Sequence, residues 1–210
     1  MTKGRCALCG GVFSKRKMAR HLASCRTDGP GTAKRKVFIL KVEGRYSSEY
    51  WMYLEAASDA RLEDLDMFLR NVWLECCGHL SAFEIDGETY ISYPEGEENG
   101  LDVLLGSLLY QGQEFYHQYD FGTTTDLVLE VVSDGERDAE RRSVRLLARN
   151  EPPLILCQTC GKEAVWVCAQ CIYEGEGWLC QECASNHECG EEMLLPVVNS
   201  PRVGMCAYGA

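Results

Sequence analysis

Between residues 157 and 189 the chain carries Cys157, Cys160, Cys168, Cys171, Cys180, Cys183, His187 and Cys189. The spacing is C-x2-C three times, then His-x-Cys. That makes four donor pairs, enough for two four-coordinate zinc ions. Thiolate and imidazole are the donors that a borderline-soft divalent ion selects. Pairs set this close leave little chain for a hydrophobic core, so metal must supply much of the folding energy. An interleaved cross-brace is expected, with Cys157, Cys160, Cys180 and Cys183 on one ion and Cys168, Cys171, His187 and Cys189 on the other. A sequential arrangement, starting with Cys157, Cys160, Cys168 and Cys171 on one ion, is the alternative. Four protein donors leave no position for water, so such zincs are structural rather than catalytic.

A second donor set stands at the other end. Cys6 and Cys9 form a C-x2-C knuckle, and His21 and Cys25 follow four residues apart, on one face of a helix. This set holds one more zinc, which brings the expected number to three. Phe13 and Met18 stand where a ββα finger needs its small core. Lys15, Arg16, Lys17 and Arg20 lie on the same helix and are candidate nucleic-acid contacts, since cations facing phosphates release counterions. One finger reads only about three base pairs, so protein or RNA docking by this helix competes with DNA recognition. Cys206 reads as a spare tail thiol, and Cys76 and Cys77 as small core residues.

The remaining chain must carry these sets. Thirteen cysteines, a charged N-terminus without an apolar leader and no apolar run of spanning length point to a reducing, cytoplasmic setting, where thiols bind metal rather than pair. Charge is polarised: residues 1–36 hold ten Lys/Arg against one acid, whereas residues 37–150 hold nine against 23. A basic head on an acidic body suggests contact with a polyanion, or simply a solvated arm. Four segments are expected: a zinc finger over 1–27, a basic linker over 28–36, an α+β domain over 37–153, and a Cys-rich double-zinc module with tail over 154–210.

Within 37–153, "KVFILKVEG" and "YWMYLEA" read as partnered strands. Ser58 or Asp59 is expected to cap a long helix running through Trp73, with Leu62, Leu65, Phe68, Leu69, Val72 and Trp73 on its apolar face. Asp86-Gly87 between two apolar runs signals a hairpin. "LDVLLGSLLYQGQ" suggests a short helix and turn. "EFYHQYDFG" and "TDLVLEVVS" read as paired strands, and "SVRLLARN" as a last strand before Pro152-Pro153. Strands and one long helix without regular βαβ units make this domain α+β, with a mixed or antiparallel sheet.

The segment "FYHQYDFGTTTDLVLEV", with Tyr119, Asp120, Phe121 and Gly122, resembles the plasmid pRiA4b open-reading-frame-three-like family, also described as TnpR-like. "LKVEG", "LEDLDMFLRNVW" and "SAFEIDGETY" fall in that family's order, so the likeness spans residues 37–150. It implies an α+β domain associated with mobile elements and without an established activity. Where the family usually carries Asp, Trp and His after the glycine, this chain has "TTTDLV". At the termini, the front set is similar to ββα fingers ending in His and Cys. The closing His-x-Cys looks like AN-one-type fingers, and the whole rear pattern is similar to MYND and B-box modules.

The function expected from these features is a non-catalytic zinc-binding adaptor. Its acidic domain and rear module bind a protein partner, and the basic finger adds nucleic-acid contact. A mobile-element-associated DNA- or RNA-binding regulator is the alternative. An enzyme built on His79 or His117 of the central domain is the second alternative, although His117 reads more simply as a core histidine.

Overall fold

In a computed structural model the chain is described over residues 2–25, 34–138 and 142–209. The expected basic linker lies outside the described residues over 28–33, and 34–36 belong to a strand. The finger contributes β1 (Lys3–Cys6), β2 (Val12–Ser14) and α1 (Lys15–Ser24). The centre contributes β3 (Lys34–Gly44), β4 (Trp51–Ala57), α2 (Leu62–Leu69), β5 (Ser81–Ile85), β6 (Glu88–Ile91), β7 (Asn99–Gly100), α3 (Leu105–Leu108), β8 (Glu114–Tyr119), β9 (Thr125–Asp138) and β10 (Val144–Asn150). The rear contributes β11 (Trp166–Cys168), β12 (Trp178–Leu179), α4 (Gln181–Ala184) and β13 (Leu194–Pro196).

Strand residues alternate between faces, and this chain makes both faces apolar. Every residue of β4 is buried. Met52, Leu54 and Ala56 join Phe38, Leu40 and Val42 in one cluster with Leu65, Leu69 and Trp73. Trp51 and Tyr53 join Ile39 in a second cluster with Met18 and Leu22 of α1. The sheet is therefore covered by α2 on one side and by the finger helix on the other. Its order is β2-β1-β10-β4-β3-β9-β8-β5-β6-β7, antiparallel throughout except for the short β6–β7 pair. A second sheet, β12-β11-β13, belongs to the rear module. Val167, Leu195 and Val203 from that module enter the α2-side cluster.

The finger hairpin extends the central sheet, because β1 pairs with β10 and places Gly4 opposite Asn150. A Cβ at Gly4 would fall 2.4 Å from the Trp51 ring, so only glycine allows this approach. The Asp86-Gly87 hairpin is present, with φ of 51° and 85°, the left-handed pair that a two-residue turn requires.

The fold is α+β with a large, mostly antiparallel sheet, and among the described residues the expected long α-helix is instead a short α-helix continued by a π-turn. Asp59 pairs with Arg35 instead of capping, and α2 begins at Leu62 with the Asp64 carboxylate accepting the Arg61 N–H at 2.8 Å. After Leu69 the helix widens into a π-turn over Arg70–Leu74, closed by Glu75 N–H to Arg70 O at 2.9 Å. The wider turn lets adjacent Trp73 and Leu74 both reach the core, each fully buried.

Candidate metal centres

The knuckle of the front set is shaped by Gly10 at φ 75°, whose N–H returns to Cys6 O at 2.9 Å. The Gly11 N–H points at Cys9 Sγ, 3.4 Å away. One turn of α1 carries His21 and Cys25 to the same place. The Cys6 and Cys25 sulfurs are 3.9 Å apart, and Cys9 Sγ is 3.3 Å from His21 Nε2. A tetrahedron with Zn–S bonds of about 2.3 Å has edges of about 3.8 Å, so these separations fit one ion between the donors. Phe13 stacks on His21 at 4.2 Å and fixes the ring. Burial, together with Cys9 and Cys6, pushes the Cys25 thiol up to about 11.

The rear donors gather in the interleaved pattern. Cys157, Cys160, Cys180 and Cys183 form one set, and Cys168, Cys171, His187 and Cys189 the other, with all donor atoms of a set within 4.8 Å of one another. Cys160 and Cys180 sulfurs are 3.6 Å apart, Cys171 and Cys189 sulfurs 3.6 Å, and Cys171 Sγ lies 3.5 Å from His187 Nε2. All are far longer than a disulfide bond of about 2.05 Å. Cys157 begins a tight turn in which Gly161 N–H reaches its carbonyl at 2.8 Å, and Cys180 stands at the start of α4. The β11–β12 and β11–β13 pairs hold these loops in register.

Crowding splits the thiols within each rear set. Burial raises Cys157, but N–H groups of Cys180, Cys160 and Thr159 overcome it and bring that thiol down to about 6. Hydrogen bonds to Cys160 and Cys180 push Cys183 up to about 12. In the other set Cys168 falls to about 7 despite burial, through the Cys171 and Gln170 N–H groups, while Cys189 and Cys168 push Cys171 to about 12. Neighbouring thiolates cannot all ionise without a cation among them. The donor chemistry therefore suits a divalent ion and is compatible with zinc.

Among the described residues four donor sets assemble rather than the three expected. The fourth is Cys76, Cys77, His79 and Cys206, again within 4.8 Å of one another. Cys77 is exposed, not a core residue, and Cys206 is no isolated tail thiol. No local spacing announces this set; only the adjacency of Cys76, Cys77 and His79 hints at it.

The Tyr-Asp-Phe-Gly turn lies beside this set. Asp120 has φ 65° and caps its own turn, its Oδ1 accepting the N–H groups of Gly122 and Thr123 at 3.1 and 3.3 Å. The Tyr119 ring sits between the guanidinium groups of Arg70 and Arg202, each 4.8 Å from its centroid. Its hydroxyl accepts from the Cys76 and His79 N–H groups and donates to Glu75 Oε1 at 3.0 Å.

His117 is fully buried. Its Nε2 donates to Asp66 Oδ1 at 2.8 Å, and Asp66 Oδ2 accepts from Arg70 Nε at 2.7 Å. Arg70 also reaches Ser81 Oγ and His79 O, both at 2.8 Å, so this polar cluster ties α2 to β5 and β8. Of the candidate nucleic-acid residues, Arg16, Lys17 and Arg20 are exposed on α1. Lys15 instead pairs with Glu43 at 2.6 Å and donates to Ser48 O. Among the described residues no helix is long and apolar enough to cross a membrane.

No family model and no curated protein matches the chain. Among solved structures, a crystal structure of a protein of unknown function from Methanosarcina mazei Go1 is similar. It is 16% identical, covers 61% of this chain and 75% of its own, and aligns with a TM-score of 0.46.

Proposed function

We propose that this protein is a cytoplasmic, non-catalytic adaptor whose two ends are folded around zinc. The front set and the two rear sets each take one ion. The observation that carries the reading is the completeness of those sets. Each brings four cysteine or histidine donors together and leaves no coordination position for a substrate or an activated water. His117, the buried histidine of the central domain, is held in an ion-paired cluster rather than aimed into a cleft. The acidic centre and the rear module supply the protein-binding surface, and the central domain belongs with the pRiA4b open-reading-frame-three-like proteins on the likeness described above.

Exposed Arg16, Lys17 and Arg20 favour a second, auxiliary contact with nucleic acid through α1. A pull-down on immobilised full-length protein, with and without nuclease, separates the two. Capture of a specific protein that survives nuclease and is lost after zinc is chelated supports the adaptor. Capture abolished by nuclease would make the protein a nucleic-acid-binding regulator. Turnover of any substrate that depends on His79 or His117 would make it an enzyme.

A further inference from the structure

We propose that Cys76, Cys77, His79 and Cys206 form a fourth metal site, taking a thiophilic divalent cation such as zinc. The ion there clasps the C-terminal tail onto the central domain. Cys77 Sγ lies 3.5 Å from Cys206 Sγ, and Cys206 Sγ lies 3.7 Å from His79 Nε2. These are tetrahedral-edge separations of the same kind as in the other three sets, and are too long for a disulfide. Binding replaces three S–H bonds with three S–metal bonds. The protons pass to solvent and nothing is oxidised or reduced.

The site is built from both sides before any ion enters. On the domain side, the Tyr119 hydroxyl accepts the N–H groups of Cys76 and His79 at 3.4 and 3.3 Å, and Glu75 Oε1 accepts the Gly78 N–H at 2.6 Å. On the tail side, Ser200 Oγ donates to Trp73 O at 2.7 Å, across 127 residues of chain. Fully buried Arg202 donates to Asp120 Oδ2 at 2.7 Å and to Thr123 O and Thr125 Oγ1 at 3.0 Å. Cys206 itself has φ 53°, a conformation that non-glycine residues adopt at a cost and that ligation would hold.

Charge also favours a cation with this ligand set. Three thiolates around a divalent ion leave a net charge of −1, and the Arg202 guanidinium stands 3.4 Å from Cys76 Sγ to offset it. That is the outer-shell role by which a neighbouring donor tunes a metal–thiolate centre. Asp120 Oδ2 is 3.6 Å from His79 Nε2, but Arg202 already engages it.

The site differs from the other three in access. Each of those contains at least one buried cysteine, whereas here Cys77 and Cys206 are exposed and Cys76 and His79 half-buried. Its donors also come from segments 127 to 130 residues apart, so the ion joins two parts of the fold rather than folding a short loop. It is therefore the site that exchanges its ion first, and losing that ion loosens the tail beyond Val203, while Ser200 and Arg202 stay docked and the rear module stays folded.

This goes beyond the three-zinc reading, and one experiment separates the two. Full-length reduced protein is reconstituted with zinc, freed of excess, and its metal measured for the wild type and for Cys206→Ser and Cys77→Ser separately. Four equivalents in the wild type and three in each variant are expected. In the variants, hydrogen exchange should rise over 204–209 but not over 157–189. Three equivalents in the wild type, or four in both variants, would overturn the clasp while leaving the other sites standing. No bound metal at all would remove both. Should a variant fail to fold, brief chelation of the wild type decides the matter. One equivalent lost first, with the tail alone losing protection, supports the clasp. Loss of metal from all sites together contradicts it.

Discussion

Asp120 accepts a hydrogen bond from Arg202 at 2.7 Å, across 82 residues of chain. The contact joins the Tyr-Asp-Phe-Gly turn of the central domain to the tail that follows the rear module. Arg202 is fully buried and Asp120 nearly so. This is the polar counterpart of the apolar contact that Val167, Leu195 and Val203 make with the same core.

Removing one partner of such a buried pair leaves the other charge uncompensated, at a cost of about 3–5 kcal/mol. Asp120→Ala should therefore be strongly destabilising in urea denaturation, since it also deletes the turn cap at a positive-φ position. Asp120→Asn keeps a capping side chain that tolerates this conformation, and should cost measurably less. Equal losses in the two variants would show that the cap and the backbone conformation contribute nothing.

Acid stability should depend on Asp66. Burial alone would raise this carboxyl, but the hydrogen bond and charge of His117, with Ser81 and Arg70, hold it below its usual value of 3.8. A depressed folded pKa adds stability that is complete above the unfolded pKa. It is lost as pH falls through the lower, folded value. Unfolding free energy should fall below about pH 4, and Asp66→Asn should flatten that limb while lowering stability near neutrality. An unchanged acid limb in the variant would rule out this origin.

Metal in the rear module should be pH-dependent in the same direction. Without an ion Cys171 and Cys183 hold their protons up to about 12, so binding at neutral pH must expel protons. Titrating zinc into apoprotein should release protons in proportion to the sites filled, and apparent affinity should fall steeply as pH is lowered. Cys160→Ser or Cys189→Ser should each lose one equivalent and unfold the β11–β13 region, because structural zinc supplies about 10–16 kcal/mol to such modules. Retained folding without metal would show that zinc does not hold the rear module together.

The finger helix yields a graded expectation. Arg16→Ala, Lys17→Ala and Arg20→Ala together should weaken any nucleic-acid affinity. They should also lower the slope of log affinity against log salt by roughly one for each phosphate-pairing cation removed. Lys15→Ala should leave the slope unchanged, because that ammonium is already engaged by Glu43. The measurement is a salt series by fluorescence anisotropy, and a slope that moves only with Lys15 would reverse the assignment.

What could be read from the chain was local. Each C-x2-C pair and the His21/Cys25 turn announce themselves within a few residues, and so do the Asp86-Gly87 turn and the alternating strands. The fourth set was hidden because Cys206 reaches Cys77 only through packing of the tail against β8 and the π-turn. A longer α-helix is what the spacing Leu65, Leu69, Trp73 suits. Nothing in that spacing reveals that Arg70 will be drawn to Asp66, Glu75 and Ser81, or that Leu74 must also turn inward. The finger's attachment to β10 is illegible for a related reason, since edge pairing leaves no mark on either strand alone.

If closed sulfur-rich metal sites hold both ends of the chain in shape, the metal and its donors must be visible together. Zinc-edge X-ray absorption on reduced, full-length protein tests this most directly. The expected spectrum is that of four-coordinate zinc with sulfur dominant at about 2.3 Å, a minor nitrogen contribution and no bound water. Protein that contains no metal, or zinc whose shell includes a water oxygen, would contradict it.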